Sequence, residues 1–403
     1  MRAHAQRAIG RRSRVVRGFA NEQRPPLLFT PGPTTTTASV KQSMMVDVGA
    51  RDENGFLGVV RDVRGRLVSA AQASPHTHDC VLVQGAGTHA IESVLCSVVG
   101  PESRVLILSN GGYGERQKDI CQIYDLNFAS LDYPDHHPLS AEDLEQRLRE
   151  DDGSTFTHVS MIHHETTAGV INPLSEICDV MLRFPHVELI VDSMSGFGAY
   201  EVDLGGRHSP CKYLVSSANK NLQGIPGFSY CIYERSALQK LAGRKPRSLT
   251  LDLYQQAQGL SFGGQQFRFT PPTHVILAFQ QALTEWEEEG GWAGRGSRYK
   301  ANYEAIKRGV ERLGLGFVVD EPFRGHVVST IRAPRHPKWD FSFLHRFLQD
   351  RGFVIFPGKL SRVDSFRLGH IGNIHPAQCD ELICVLQEAL TSMGVLCPMD
   401  RAE

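Results

Sequence analysis

The chain has 403 residues, 41% hydrophobic and 22% charged, a length and balance that suit a globular protein of two or three domains. Its 43 Lys+Arg nearly cancel its 44 Asp+Glu, and a formal net charge of -1 provides no global field for nucleic acid or a membrane surface. No apolar run reaches the roughly 18 residues needed to span a bilayer, and the nine cysteines form no C-x-x-C pair, which argues for free thiols over a disulfide framework or a metal site.

The first 21 residues carry Arg2, Arg7, Arg11, Arg12, Arg14 and Arg17 and no acidic residue. That composition is expected of a mitochondrial transit segment, here residues 1–23, and Arg17-Gly18-Phe19-Ala20 resembles a matrix-protease cleavage pattern. A disordered basic tail has the same composition. Folded structure is expected from about Arg24.

From residue 78 onward, short β-branched runs at 80–83, 105–108, 158–162, 188–191, 213–215 and 228–233 alternate with amphipathic helical stretches. This rhythm predicts an α/β fold with a mainly parallel sheet and helices on both faces. Ligands of such sheets sit beyond the carboxyl ends of the strands. Residues 272–313 read as helix with a break at Glu289-Gly290-Gly291. Strands expected near 316–319, 327–331, 353–356 and 365–368, with helices near 341–349 and 376–390, suggest a smaller α/β domain. The division is then a large domain over 24–300, including an N-terminal arm, and a small one over 301–403.

Five strand-end motifs carry chemistry. Gln84-Gly85-Ala86-Gly87-Thr88 lies between a strand and a helix over 89–98. Its backbone amides and the helix dipole suit a phosphate, although glycines at such turns also serve purely steric needs. Asn110-Gly111-Gly112-Tyr113-Gly114 can lay an aromatic ring over a heterocycle, or form an ordinary turn. Asp192, after an apolar strand, can hold a pyridinium proton, or cap a helix. Lys220, after Ser216-Ser217-Ala218-Asn219, can form an imine and then move protons. Arg367, among apolar neighbours in Ser365-Phe366-Arg367-Leu368, can clamp an oxyanion in a bidentate fork, or join two domains through a salt bridge.

The ordered set resembles the class V aminotransferases, and among them the 2-aminoethylphosphonate:pyruvate aminotransferase family, over residues 27–390. Further matching stretches are Thr30-Pro31-Gly32-Pro33, His164-Glu165-Thr166-Thr167, Leu251-Asp252-Leu253-Tyr254 and Arg268-Phe269-Thr270 with Pro272-Thr273-His274. The resemblance implies a pyridoxal-phosphate fold of type I, with a seven-stranded, mainly parallel sheet. It also implies a homodimer with shared sites, acting on 2-aminoethylphosphonate and pyruvate as small-molecule substrates.

It implies that Lys220 holds pyridoxal 5'-phosphate as a Schiff base, Asp192 pairs with the ring nitrogen, Tyr113 stacks on the ring, and Thr166 reaches its hydroxyl. Ala86, Gly87, Thr88, Ser195 and Asn219 fall at cofactor-binding positions, with Thr270 and Thr273 reaching the phosphate of the neighbouring subunit. Arg367 is the expected anchor of the substrate's acidic group, with Gly32 and Arg51 as further substrate candidates and Arg268 in reserve. Departures from the family pattern are Ala86 in place of a common Ser, His370 in place of Asn, Ser193 and Gly196 around Asp192, and Asn221 and Leu222 after the lysine. An alanine–glyoxylate or serine–pyruvate aminotransferase shares the same cofactor residues and is the alternative enzyme. A catalytically inactive relative that survives as a binding protein is the alternative of another kind, and predicts loss of Lys220 or Asp192.

Overall fold

The computed structural model describes residues 25–53, 55–151, 155–261, 266–360, 363–395 and 398. The expected transit segment over 1–23 lies outside the described residues.

The central sheet has seven strands: β2 (His78–Gln84), β3 (Val105–Ser109), β4 (Phe128–Asp132), β5 (His158–Ile162), β8 (Glu188–Asp192), β9 (Cys211–Ser217) and β10 (Phe228–Glu234). Their spatial order is β2-β10-β9-β8-β5-β3-β4. Every pair from β9 to β4 is parallel, and β10 alone runs against its neighbours. Every residue of β3, β5 and β8 is buried, as both-face coverage of a parallel sheet requires. This explains why those strands read as runs dominated by apolar residues on both faces, as in Val105–Ser109. Strand β4 sits at the sheet's edge and no residue of it is fully buried. It has no such run, and the periodicity missed it.

Helices Phe56–Ala70, Gly87–Val98 and Thr273–Glu288 pack their apolar stripes onto this sheet and one another. Each fully buried Val, Leu or Ile in that core contributes about 1.5–3 kcal/mol relative to exposure. The expected helical break is present: Gly290 and Gly291 both adopt positive φ, at 96° and 66°, which ends one helix and starts Gly291–Arg312.

A second sheet has the order β1-β12-β13-β11, built from β1 (Leu27–Phe29), β11 (Val328–Arg332), β12 (Phe353–Pro357) and β13 (Ser365–Gly369). The arm strand β1 therefore joins the C-terminal sheet, in parallel with β12, and buries Phe29 against Phe353 at 6.0 Å between ring centroids. Only an isolated bridge, Phe317 to Ile331, stands where a strand over 316–319 was expected. Helix Phe341–Gln349 begins at Asp340, whose side chain accepts from the N–H groups of Ser342 and Phe343. Two short strands, β6 (His164–Glu165) and β7 (Val170–Ile171), form a hairpin just beyond β5.

Candidate active site

Because β2, β3, β5, β8 and β9 run the same way, their carboxyl ends deliver five loops to one edge of the sheet. A cavity lies there. The β2 end supplies Ala86, Gly87 and Thr88, and the helix after β3 supplies Tyr113. Thr166 comes from the β6–β7 hairpin, Asp192 and Ser195 from the β8 end, and Asn219 and Lys220 from the β9 end. All nine were expected at one site, from the strand-end motifs and the family resemblance together.

Lys220 Nζ donates to the Pro31 carbonyl at 2.6 Å. Gly32 packs against the lysine stem so closely that a Cβ there would lie 2.6 Å from Lys220 Cδ. Burial lowers the Lys220 ammonium from its ordinary range to about 8; Arg367, Arg116 and Lys359 push the same way and Asp192 opposes them. Asp192 is 5% exposed, and burial raises its carboxyl to about 7, with Glu165 adding to the rise. The Met194 N–H at 3.1 Å, Lys220 and Arg116 counter that rise. Among the described residues no cation makes a contact ion pair with Asp192. A buried carboxylate facing a cavity is incomplete without a cationic partner, and a protonated pyridine nitrogen meets the need.

The N-terminal turn of helix Gly87–Val98 closes one end of the cavity. Gly87 lies under Met194, with 2.5 Å from a built Cβ to the sulfur. The Ala86 N–H is taken by His89 Nδ1 at 3.1 Å. This end of the cavity holds a further group that the sequence alone did not single out. Arg116, also lining the cavity, donates from Nη1 to Thr88 Oγ1 at 3.1 Å. Its guanidinium lies 4.9 Å from the Tyr113 ring centroid. The signal was present in the helix after Tyr113, where positions three apart share a face.

Glu165 was also missed. It is fully buried, and burial raises its carboxyl. It accepts from the Tyr113 N–H at 3.2 Å, the Thr167 N–H at 2.9 Å and the Thr167 hydroxyl at 2.6 Å. These bonds fix the loop that presents Tyr113. A Cβ on Gly111 would strike both Glu165 and Thr167, which is why the chain turns on glycine there.

Arg367, on β13, is 6% exposed and crosses from the second sheet to this site. It donates to the carbonyls of Pro357 at 3.1 Å and Thr166 at 3.0 Å. Among the described residues it forms no ion pair, so its guanidinium keeps donors for an incoming anion.

Other expected residues are not gathered into the cavity of this chain. Arg51 is exposed, and Arg268 donates to the Leu249 carbonyl. Thr270 is exposed, with its carbonyl accepting from Gln84 Nε2. Thr273 opens helix Thr273–Glu288, its hydroxyl 3.3 Å from His274 Nδ1.

The comparisons with known proteins agree with this geometry. The model of the aminotransferase class-V family matches residues 57–336. A 2-aminoethylphosphonate–pyruvate transaminase of Bacteroides fragilis is 39% identical over 91% of this chain and 99% of its own length. One from Salmonella schwarzengrund is 38% identical over 90% and 97%. Among solved structures, an alanine–glyoxylate aminotransferase from Nostoc sp. superposes with a TM-score of 0.83 at 26% identity, covering 92% of this chain and 96% of that one. A pyridoxamine–pyruvate aminotransferase from Mesorhizobium loti gives 0.84 at 22% identity, covering 94% and 95%, a likeness of fold.

Proposed function

Because the chain belongs to the class V aminotransferase family, we propose that it moves the amino group of 2-aminoethylphosphonate to pyruvate, giving phosphonoacetaldehyde and L-alanine. The buried amine of Lys220 and the buried carboxyl of Asp192 on one cavity, each altering the other's proton affinity, support transamination, and the 39% identity to a 2-aminoethylphosphonate–pyruvate transaminase over 91% of the chain supports the choice of donor. The buried pair also speaks against an inactive binding relative, which has no need of either group.

The cofactor that fits is pyridoxal 5'-phosphate, which supplies an aldehyde that condenses with amines and a ring that withdraws electrons. Asp192 would hold the proton on its ring nitrogen, and Tyr113 and Thr166 would set the ring plane. The helix end at Gly87 and Thr88, with Asn219 and Arg116, would receive the phosphate. Lys220 is poised to lose a proton near neutrality, so it can act as a nucleophile and then carry a proton to or from the substrate carbon. Arg367 would hold the substrate's acidic group.

The test is L-alanine formation from pyruvate with 2-aminoethylphosphonate as donor. Alanine formed from pyruvate with serine as donor, or glycine formed from glyoxylate with alanine as donor, and no turnover of the phosphonate would assign the chain to the alternative aminotransferases. Loss of activity and of the borohydride-trapped adduct in Lys220→Ala would place the imine on that lysine.

We further propose a homodimer. Met45, Val46, Leu249 and Phe269 are large apolar side chains left exposed in the single chain, and Phe269 adjoins the exposed Thr270. Light scattering on the eluted protein tests this. The Arg-rich start supports delivery to the mitochondrial matrix; a fluorescent fusion with and without residues 1–23 tests that.

A further inference from the structure

Two cations stand beside the cavity, next to its lining residues Thr166 and Tyr113, and bring more positive charge than one carboxylate requires. Arg367 enters from β13, and Lys359 enters from the loop after β12. Lys359 Nζ lies 5.0 Å from the Tyr113 ring centroid, and 3.8 Å from where a Cβ on Gly112 would stand. Among the described residues neither Lys359 nor Arg367 has a carboxylate at ion-pair distance. The nearby carboxylate, Glu165, is occupied by Tyr113 and Thr167. Arg116, over the same tyrosine, is directed to the opposite task through Thr88.

The two cations differ in a useful way. The planar fork of Arg367 matches a flat carboxylate or two oxygens of a tetrahedral group. An ammonium is a point charge on a flexible stem and can meet a third oxygen from varied directions. A monocarboxylate is satisfied by the fork alone; a phosphonate dianion leaves charge over.

Resting on the function proposed above, we propose that Lys359 is a second cation for the donor's phosphonate, and that Lys359 with Arg367 selects dianionic amino donors over monocarboxylate ones. The ammonium waits over the Tyr113 ring, a neutral surface that attracts it without neutralising it. Burial lowers its proton affinity, Arg116 and Arg367 lower it further, and Glu165 opposes them, as expected for a cation held among like charges until an anion arrives.

The experiment uses the holoenzyme with Lys359→Met and Lys359→Arg. Calorimetry measures binding of methylphosphonate and of acetate, and steady-state assays measure KM and kcat for 2-aminoethylphosphonate and, in reverse, for L-alanine. Loss of one charge-assisted contact predicts methylphosphonate affinity weakened about tenfold or more in Lys359→Met, with acetate within about twofold and Lys359→Arg near wild type. KM for the phosphonate donor should rise by the same factor at nearly constant kcat, with KM for L-alanine unmoved. Unchanged methylphosphonate binding, or equal losses for both anions, overturns the role of Lys359. Failure of the wild-type enzyme to turn over 2-aminoethylphosphonate overturns the proposed function instead, and the two anion titrations still report on Lys359 itself.

Discussion

Gly32 and Lys220 stand in each other's van der Waals shell: a Cβ on Gly32 would lie 2.6 Å from Lys220 Cδ and 2.9 Å from both Cε and Nζ. Gly32 also holds φ at 124°, a conformation that side chains resist. The arm before the first helix is thus shaped around the reactive lysine, and the Pro31 carbonyl accepts a hydrogen bond from its amine.

Gly32→Ala should therefore displace the Lys220 amine while leaving the fold intact. Misplacement of a reacting group by about an ångström costs on the order of 10²-fold in rate, and kcat is expected to fall by that order with an unchanged circular dichroism spectrum. Gly65→Ala, on an exposed helix position with nothing within 4 Å of its built Cβ, is the control and should retain full activity.

Asp192 links protonation to stability. A carboxyl whose folded-state pKa is raised from 3.8 to about 7 favours folding fully below the lower value, and that favour is lost as pH rises through the higher one. Lys220 stays protonated in both states across most of this window, since its own folded pKa is about 8. In protein stripped of cofactor, Asp192→Asn should therefore gain melting temperature relative to wild type between pH 5 and pH 8. Scanning calorimetry at several pH values checks the slope. The same variant should lose activity by about 10²-fold or more, because a neutral amide cannot hold the ring nitrogen's proton.

If Thr273 serves the neighbouring subunit, Thr273→Ala on one chain and Lys220→Ala on the other fall in the same site of a mixed dimer. Each homodimer should be impaired. Co-expressed, they should form a mixed dimer with one intact site and recover activity that neither has alone. No recovery in a purified mixed dimer would mean that each site is built within one chain.

Arg64 tests the scaffold. Its guanidinium, 7% exposed, binds Asp79 at 2.7 Å and donates to the carbonyls of Cys80 and Leu260 at 2.6 Å each. It joins the edge strand β2 to two helices, Phe56–Ala70 and Leu253–Ser261. Arg64→Met leaves a buried carboxylate less well paired, although Arg235 also reaches Asp79. Because Arg235 keeps Asp79 paired, a loss of about 1–3 kcal/mol is expected in denaturant unfolding, with cofactor binding at native conditions unaltered.

The chain's local chemistry was enough to locate the strands that bury both faces and the polar residues that follow them. Apolar runs such as 105–108, bounded by turn residues, suit strands covered on both faces, and a Lys or Asp just past such a run falls at the sheet's carboxyl edge. The order of glycine loop, tyrosine, aspartate, lysine and arginine then resembled one family closely. Convergence was decided only in three dimensions. Glu165 looks like a surface residue until the β6–β7 hairpin buries it under Tyr113. Arg116 and Lys359 look like ordinary solvated charges until a helix and a loop from different sheets bring them over one ring. The arm strand β1 finds its partner 325 positions later, at Gly352 and beyond. Periodicity reports which face of an element is apolar; which distant element covers it is set by the burial of the whole core, and the field felt by Lys220 and Asp192 exists only once that core has closed.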